Sequence, residues 1–162
     1  MKRIFAVAIA LIFLFSSCTV QENVDPQVFL ARLTEADKDV NVAGKSVFYE
    51  GNSCVAFFDY AGKRFVIEQF CTDAGIVSEI CLSSESADKK LFEKCVGTLI
   101  NVYAPQEKSV EIIENLRAEG YSYHETQWYE YSAYSDGKTH FFSVKNKKLS
   151  PEKEEKLTLK PE

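Results

Sequence analysis

The sequence is poor in the residues and motifs on which most enzymes depend. It has two histidines, one methionine and one tryptophan among 162 residues. It contains no G-x-S-x-G nucleophile turn, no G-x-G-x-x-G dinucleotide loop and no phosphate-binding P-loop. No serine or cysteine stands in a pattern that would pair it with a histidine base. We therefore expect a protein that is not an enzyme and that needs no cofactor.

An excess of positive charge is also lacking. Lysine and arginine number 19 against 24 aspartates and glutamates. Without Lys2 and Arg3 the net charge falls to −7, and residues 19–144 alone carry −9. Nucleic acids attract the opposite balance, so we expect no nucleic-acid partner. An acidic surface attracts basic partners and is repelled by anionic lipid.

What the sequence does contain is enough apolar material for one folded domain. Apolar residues make up 46% of the chain, aromatic residues 13% and charged residues 27%, which excludes a disordered, collagen-like or polytopic membrane protein. A body of about 145 residues can bury roughly two-thirds of its unfolded surface. We expect a single domain over residues 25–146, followed by a charged, flexible tail over 147–162.

The first eighteen residues are typical of an export signal. Lys2 and Arg3 form a basic start, and the uncharged apolar run over 4–15 follows them. The run is shorter than the roughly twenty residues that span a bilayer comfortably. Two serines and a cysteine then close the segment, so we expect the body of the protein to be exported.

The residues Phe15-Ser16-Ser17-Cys18 resemble the lipobox of bacterial lipoproteins, with Phe15 in the position where leucine is usual. The resemblance covers residues 1–18 only. It implies a signal peptide over 1–17, a diacylated Cys18 as the new N-terminus, and a tether over 18–24. It also implies a lipid-anchored protein on the outer side of the cell membrane, or at the outer membrane. The alternative is an ordinary signal peptide that is cut nearby.

The pattern of the mature chain predicts the α+β class. Asp25-Pro26 is a capped helix start, and a four-strand meander, two helices and a C-terminal hairpin follow. Short connections between the strands indicate antiparallel pairing. We expect one antiparallel sheet of about six strands, with the helices packed on it. The predicted strands are 45–50, 53–60, 64–71, 76–82, 121–134 and 138–145, and the later helices begin at Ser84 or Ser86 and at 106, with the second ending near 119.

Four cysteines besides Cys18 permit two disulfides in an exported protein. A turn at Gly62-Lys63 would set Cys54 opposite Cys71 in a hairpin, which suits a bridge, and would leave Cys81 to pair with Cys95. A turn at Ala61-Gly62 would instead set Cys54 opposite Gln69. The other alternative is four free thiols that behave as small apolar residues.

The two histidines do not predict a metal site. An Asp136-Gly137 turn would put His140 opposite Ala133 and His124 opposite Leu149, on opposite faces and about 30 Å apart. We therefore expect both to be polar surface residues. The start of a zincin motif at His124 fails because Trp128 occupies the position of its second histidine.

The most informative feature is a concentration of aromatic residues near the C-terminus. Five of the eight tyrosines and the only tryptophan lie within fourteen residues. Exposed aromatic rings stack on sugars or anchor protein partners, whereas cross-strand aromatic pairs can also stabilise a sheet with no ligand. The register predicts that Tyr129, Tyr131, His140, Phe142 and Val144 share one face of the hairpin. The residues of the predicted binding face, taken from both sides, are Trp128, Tyr129, Tyr131, Tyr134, Phe141 and Phe142.

We accordingly expect a membrane-anchored envelope protein that binds a protein or glycan partner and catalyses no reaction. Its contact face would be the aromatic hairpin. Two alternatives stay open: a carbohydrate or small-ligand binding domain that uses the same rings, and an acidic inhibitor of a basic envelope hydrolase.

Overall fold

The computed structural model describes residues 24–117 and 120–149, and within them it shows an α+β fold. The predicted class is confirmed, with seven strands in the sheet of the described residues where about six were expected. The predicted signal segment, Cys18, the tether before residue 24 and the tail from 150 lie outside the described residues. The elements in chain order are α1 (Pro26–Ala36), β1 (Val40–Glu50), β2 (Ser53–Tyr60), β3 (Lys63–Cys71), β4 (Val77–Ser84), α2 (Lys89–Tyr103), α3 (Ser109–Asn115), β5 (Gly120–Glu125), β6 (Tyr129–Ser135) and β7 (His140–Asn146).

The seven strands form one antiparallel sheet in the order β1-β2-β3-β4-β7-β6-β5. The seventh strand arises because the predicted long strand 121–134 folds back on itself. The Thr126 amide donates to the carbonyl of Tyr129 at 2.9 Å, and the Thr126 hydroxyl accepts from the amides of Trp128 and Tyr129. These bonds close a tight turn, so residues 120–125 and 129–135 become neighbouring strands.

The β2–β3 turn is the alternative at Ala61-Gly62, one residue before Gly62-Lys63, and the β6–β7 turn lies one residue after its expected position. Ala61 and Gly62, with φ of 47° and 75°, form the β2–β3 turn, and Cys54 therefore faces Gln69. In the β6–β7 turn Asp136 lies before the turn because its carboxylate accepts from the amides of Lys138 and Thr139. Ser135 therefore pairs with His140. Each slip moves the pairing by two residues, which leaves every side chain on its predicted face.

Two of the described helices, α1 and α2, begin where an aspartate side chain caps them. Asp25 caps α1 as predicted, accepting from the amides of Gln27 and Val28. The α2 helix begins later than predicted, because Asp88 accepts from the amide of Leu91 at 2.8 Å. Ser84 instead stabilises the preceding loop by accepting from the amides of residues 86 and 87. No helix among the described residues is long and apolar enough to cross a membrane.

All three helices pack on the same face of the sheet. Phe29 of α1 contacts Tyr103 of α2 edge to face, and Phe92 of α2 stacks on Phe65 of β3. The Ser122 hydroxyl of β5 donates to the carbonyl of Leu116, just after α3. This layer buries the inward residues of every strand and leaves the other face of the sheet without a covering element in the described part of the chain.

Candidate functional site

The uncovered face of the sheet, called the open face below, carries large aromatic side chains. Tyr121, Tyr123 and Tyr134 are 69%, 51% and 42% exposed, and the phenylalanines at the other end of the sheet are comparably exposed. Monomeric soluble proteins rarely show contiguous apolar surface of this kind unless it binds something. The exposed aromatic residues of the open face are Phe48, Phe57, Phe70, Tyr121, Tyr123 and Tyr134.

The pairing register places several of these rings in one row that crosses the strands. The row, called the aromatic band below, spans six strands, about 24 Å at ordinary strand spacing. Tyr121 lies opposite Tyr134, and Tyr134 lies opposite the half-buried Phe141. Phe48 meets Phe57 edge to face with ring centroids 6.1 Å apart, and extends the band to β1. The band consists of Phe57, Val66, Ser83, Phe141, Tyr134 and Tyr121 in order across the sheet.

Carboxylates occupy the part of the open face beside the aromatic band. The five carboxylates, called the carboxylate band below, share this area with two ammonium groups, those of Lys145 and Lys147. The described side chains of this area therefore carry a net charge of −3. The carboxylate band consists of Glu50, Glu68, Glu79, Glu125 and Glu130.

Individual contacts show how these carboxylates are held. The Ser53 hydroxyl donates to Glu68 at 2.9 Å, and Lys147 forms an ion pair with Glu125. The Tyr123 hydroxyl donates to Glu125 at 3.3 Å. Desolvation, together with the charges of Glu130 and Glu125, raises the pKa of Tyr123.

The predicted binding residues divide between the two faces of the sheet. Tyr134 and Phe141 lie side by side on the open face, as proposed. Trp128 lies in the β5–β6 turn, where it is partly buried and the Lys148 ammonium sits 3.7 Å from its ring centroid. The prediction is wrong for three residues that are buried under the helices: Tyr129, Tyr131 and Phe142.

The three buried rings belong to the core because, in the alternation of side chains along their strands, they lie on the face that the helices cover. Tyr129 and Tyr131 are 0% exposed and Phe142 is 1% exposed. The hydroxyl of Tyr129 accepts from the Gln106 side chain at 3.1 Å. These residues stabilise the fold, and a partner cannot reach them without displacing α2.

Sequence reasoning missed Phe48, Phe57 and Phe70 as surface residues. Phenylalanine in a strand is usually a core residue, and the strand pattern around Phe57 is apolar on both faces. The available signal was the alternation of side chains between the two faces of a strand. Phe57 and Phe70 alternate with Ala56, Phe58 and Gln69, which are buried. With the helices confined to one side, that alternation places both phenylalanines on the open face.

The histidines lie elsewhere than predicted. His140 is 3% exposed, with its Nδ1 atom 2.9 Å from the Ser135 hydroxyl and its ring beside Phe92. His124 stacks on Tyr131, so both histidines share the helix side, because β5 turns back on β6. They are separated along the strands by about 13 Å. Within residues 24–117 and 120–149 no group of histidine, cysteine and carboxylate residues is arranged to hold a metal ion.

The predicted disulfides are not formed, and all four body cysteines are thiols. Cys54 faces Gln69, whose side-chain amide lies 3.7 Å from its sulfur. Cys81 points to the open face, whereas Cys95 is buried between α2 and the sheet, so the sheet separates that pair. Burial and the neighbouring Glu79 and Glu68 raise the pKa of Cys81 to about 12. This thiol therefore stays protonated and is a poor nucleophile.

Two concave sites among the described residues are a small cavity and a shallow groove. An apolar cavity of about 50 Å³ lies between Phe92, Ile113 and Phe142, well below the roughly 300 Å³ that small-molecule sites need. A shallow groove of about 390 Å³ lies between α1 and β1, lined by Leu30, Val42 and other uncharged residues. The cavity is also lined by Ser135 and His140, whose side chains are hydrogen-bonded to each other, but it is too small to admit a substrate. The described lining residues of the groove include no histidine, carboxylate or lysine.

Comparison with protein-family models, with curated proteins and with solved structures finds no match to this chain.

Proposed function

We propose that this protein is an exported, lipid-anchored envelope protein that binds a protein partner through the open face of its sheet and catalyses no reaction. The observation that carries the proposal is the aromatic band, where Tyr121, Tyr134 and Phe141 lie in register on a face that no described element covers. Tyrosine suits such a surface because it offers a large rigid area and a hydroxyl at little cost in side-chain entropy.

The anchoring part of the proposal is supported by the lipobox-like residues 15–18. A diacylglycerol together with an amide-linked chain provides more than one acyl chain, which is what stable membrane attachment requires. We expect Cys18→Ser to move the full-length protein from the membrane fraction to the soluble fraction and to abolish incorporation of an alkyne-labelled fatty acid. Label retained by Cys18→Ser would refute anchoring at this residue.

The contact part of the proposal is tested by photo-crosslinking of the full-length protein in envelopes of its source organism. A photoreactive phenylalanine analogue at position 134 should give a protein adduct that unlabelled protein competes away. The matched control is position 49, a tyrosine that is 55% exposed on the helix side of the sheet. Tyr121→Ala should weaken the adduct at 134. Equal adducts from positions 49 and 134, or none from 134, would contradict the proposal.

A carbohydrate is the second candidate partner, because the Tyr123 ring stands beside the carboxylate of Glu125, and Tyr121 lies two residues away on the same face of β5. Aromatic rings stack on sugar faces, and carboxylates accept from sugar hydroxyls. A protein remains favoured because the aromatic band crosses six strands, whereas small-ligand sites are usually compact and concave. Two results together would favour a carbohydrate over a protein. The first is saturable binding of envelope glycans that Tyr121→Ala abolishes, and the second is the lack of a protein adduct at position 134.

A further inference from the structure

We propose that the open face recognises a basic segment of its protein partner, one in which arginine or lysine alternates with large apolar residues. This inference rests on the proposed function, and it specifies the chemistry of the contact. The notable feature is that the aromatic band and the carboxylate band run side by side across the same strands, with Phe70 lying among the glutamates.

The net negative charge of the open face favours a partner with positive charge. Five glutamates and two lysines occupy the carboxylate band and its surroundings among the described side chains. Burying this area against a neutral or acidic surface would leave carboxylates without counter-charge, which is costly. A basic segment instead supplies the missing positive charge, and anionic lipid is repelled.

The aromatic band strengthens the preference for cations. Arginine and lysine interact favourably with the faces of tyrosine and phenylalanine rings, and more so when a carboxylate lies nearby. Tyr123 stands next to Glu125 in this way, with Glu130 opposite Glu125 on the neighbouring strand. Burial, together with the charges of these two glutamates, raises the pKa of Tyr123.

The spacing of the bands fits an extended chain. Val66 in the aromatic band and Glu68 in the carboxylate band are two residues apart on β3, about 7 Å at strand rise. An extended peptide that lies along the strands repeats its same-face side chains at the same interval. It can therefore set an apolar residue on the aromatic band and a basic residue two positions away on Glu68. On β6, where Tyr134 and Glu130 are four residues apart, the basic residue would lie four positions away.

The test uses the full-length protein in a non-ionic detergent and a fluorescein-labelled ten-residue peptide in which arginine, serine and leucine alternate. A second peptide has glutamate in place of arginine. We expect saturable binding of the first peptide only. Glu68→Gln/Glu130→Gln should weaken that binding about five- to tenfold, and raising sodium chloride from about 50 to about 300 mM should weaken it further.

The matched control is Glu111→Gln/Glu114→Gln, which removes the same charge from α3 on the other side of the sheet. This variant should bind the arginine peptide with an affinity within about twofold of that of the unmodified protein. Equal losses from the two double variants would mean attraction to net charge alone and would overturn the inference. An unbound arginine peptide, with a protein adduct still formed at position 134, would also overturn it while leaving the proposed function intact. Loss of the adduct as well would refute both.

Discussion

Tyr131 offers a direct test of how the core is built, because its hydroxyl is buried and has no hydrogen-bond partner in the described part of the molecule. The ring is 0% exposed and lies between those of Tyr129 and Phe142. We expect Tyr131→Phe to raise the free energy of unfolding. Removing the oxygen ends the desolvation cost of a group that forms no bond in return.

The size of the effect follows from two opposing contributions. A buried hydroxyl without a partner costs about 1–3 kcal/mol. The space that the oxygen leaves costs about 0.5 kcal/mol or less. The net gain should be about 1 kcal/mol, or about 3 °C in Tm for a domain of this size.

Tyr103→Phe is the matched control, since Tyr103 is also a core tyrosine but its hydroxyl donates to the carbonyl of Val77 at 2.9 Å. It should lower the free energy of unfolding by about 1–2 kcal/mol, because that carbonyl is left unpaired. Urea titrations followed by fluorescence of the single tryptophan, Trp128, and by far-ultraviolet circular dichroism would measure both variants. A loss of 1 kcal/mol or more in Tyr131→Phe, like that in Tyr103→Phe, would show that the Tyr131 hydroxyl is bonded and refute the reasoning.

Three further predictions concern other parts of the fold. Burial raises the pKa of the Asp37 carboxyl, but bonds from the Asp39 amide and the Tyr60 hydroxyl, together with the Lys94 charge, outweigh it and hold that pKa below its usual value. Asp37 therefore stabilises the fold above its unfolded pKa of about 3.9, and this contribution is lost as the pH falls through the lower folded value. Asp37→Asn should cost about 1–2 kcal/mol in urea titrations at pH 7, and a cost that does not shrink below about pH 4 would contradict the assignment. Ala61 has a φ of 47°, so Ala61→Gly should raise the free energy of unfolding by about 1 kcal/mol, and a decrease would argue against this turn. The third prediction is that alkylation in denaturant without reductant modifies all four cysteines of the domain, as mass spectrometry would show: Cys54, Cys71, Cys81 and Cys95. Cysteines joined in disulfides would instead stay unmodified.

The sequence predicted the fold class and most elements because local signals were strong. The Asp25-Pro26 start of α1 and the β2 range 53–60 are confirmed. The faces of the C-terminal hairpin are also confirmed, because alternation along a strand depends on parity alone. Tyr129 and Tyr131 therefore lie on one face and Tyr134 on the other.

The remaining features depended on interactions that a linear pattern does not record. The two turns are set by a left-handed Ala61 and by the bonds that Asp136 accepts. Neither is visible in residue type alone, and the one-residue shifts removed the expected Cys54–Cys71 pairing. The β5–β6 turn depends on the Thr126 hydroxyl, which has no strong turn signature. Which hairpin face is exposed depends on where α2 packs, and that is a tertiary property.

The open-face aromatics could in principle be explained by sheet stability alone, because cross-strand aromatic pairs contribute to it. The two explanations differ in magnitude. A pair such as Tyr121 and Tyr134, at an edge strand and largely exposed, should contribute no more than about 1 kcal/mol to folding. An aromatic anchor at the centre of an interface typically contributes about 2 kcal/mol or more to binding. Tyr121→Ala should therefore weaken partner binding by at least about thirtyfold while changing the free energy of unfolding by less than about 1 kcal/mol. A variant whose binding loss is no larger than its stability loss would assign these rings to the sheet alone.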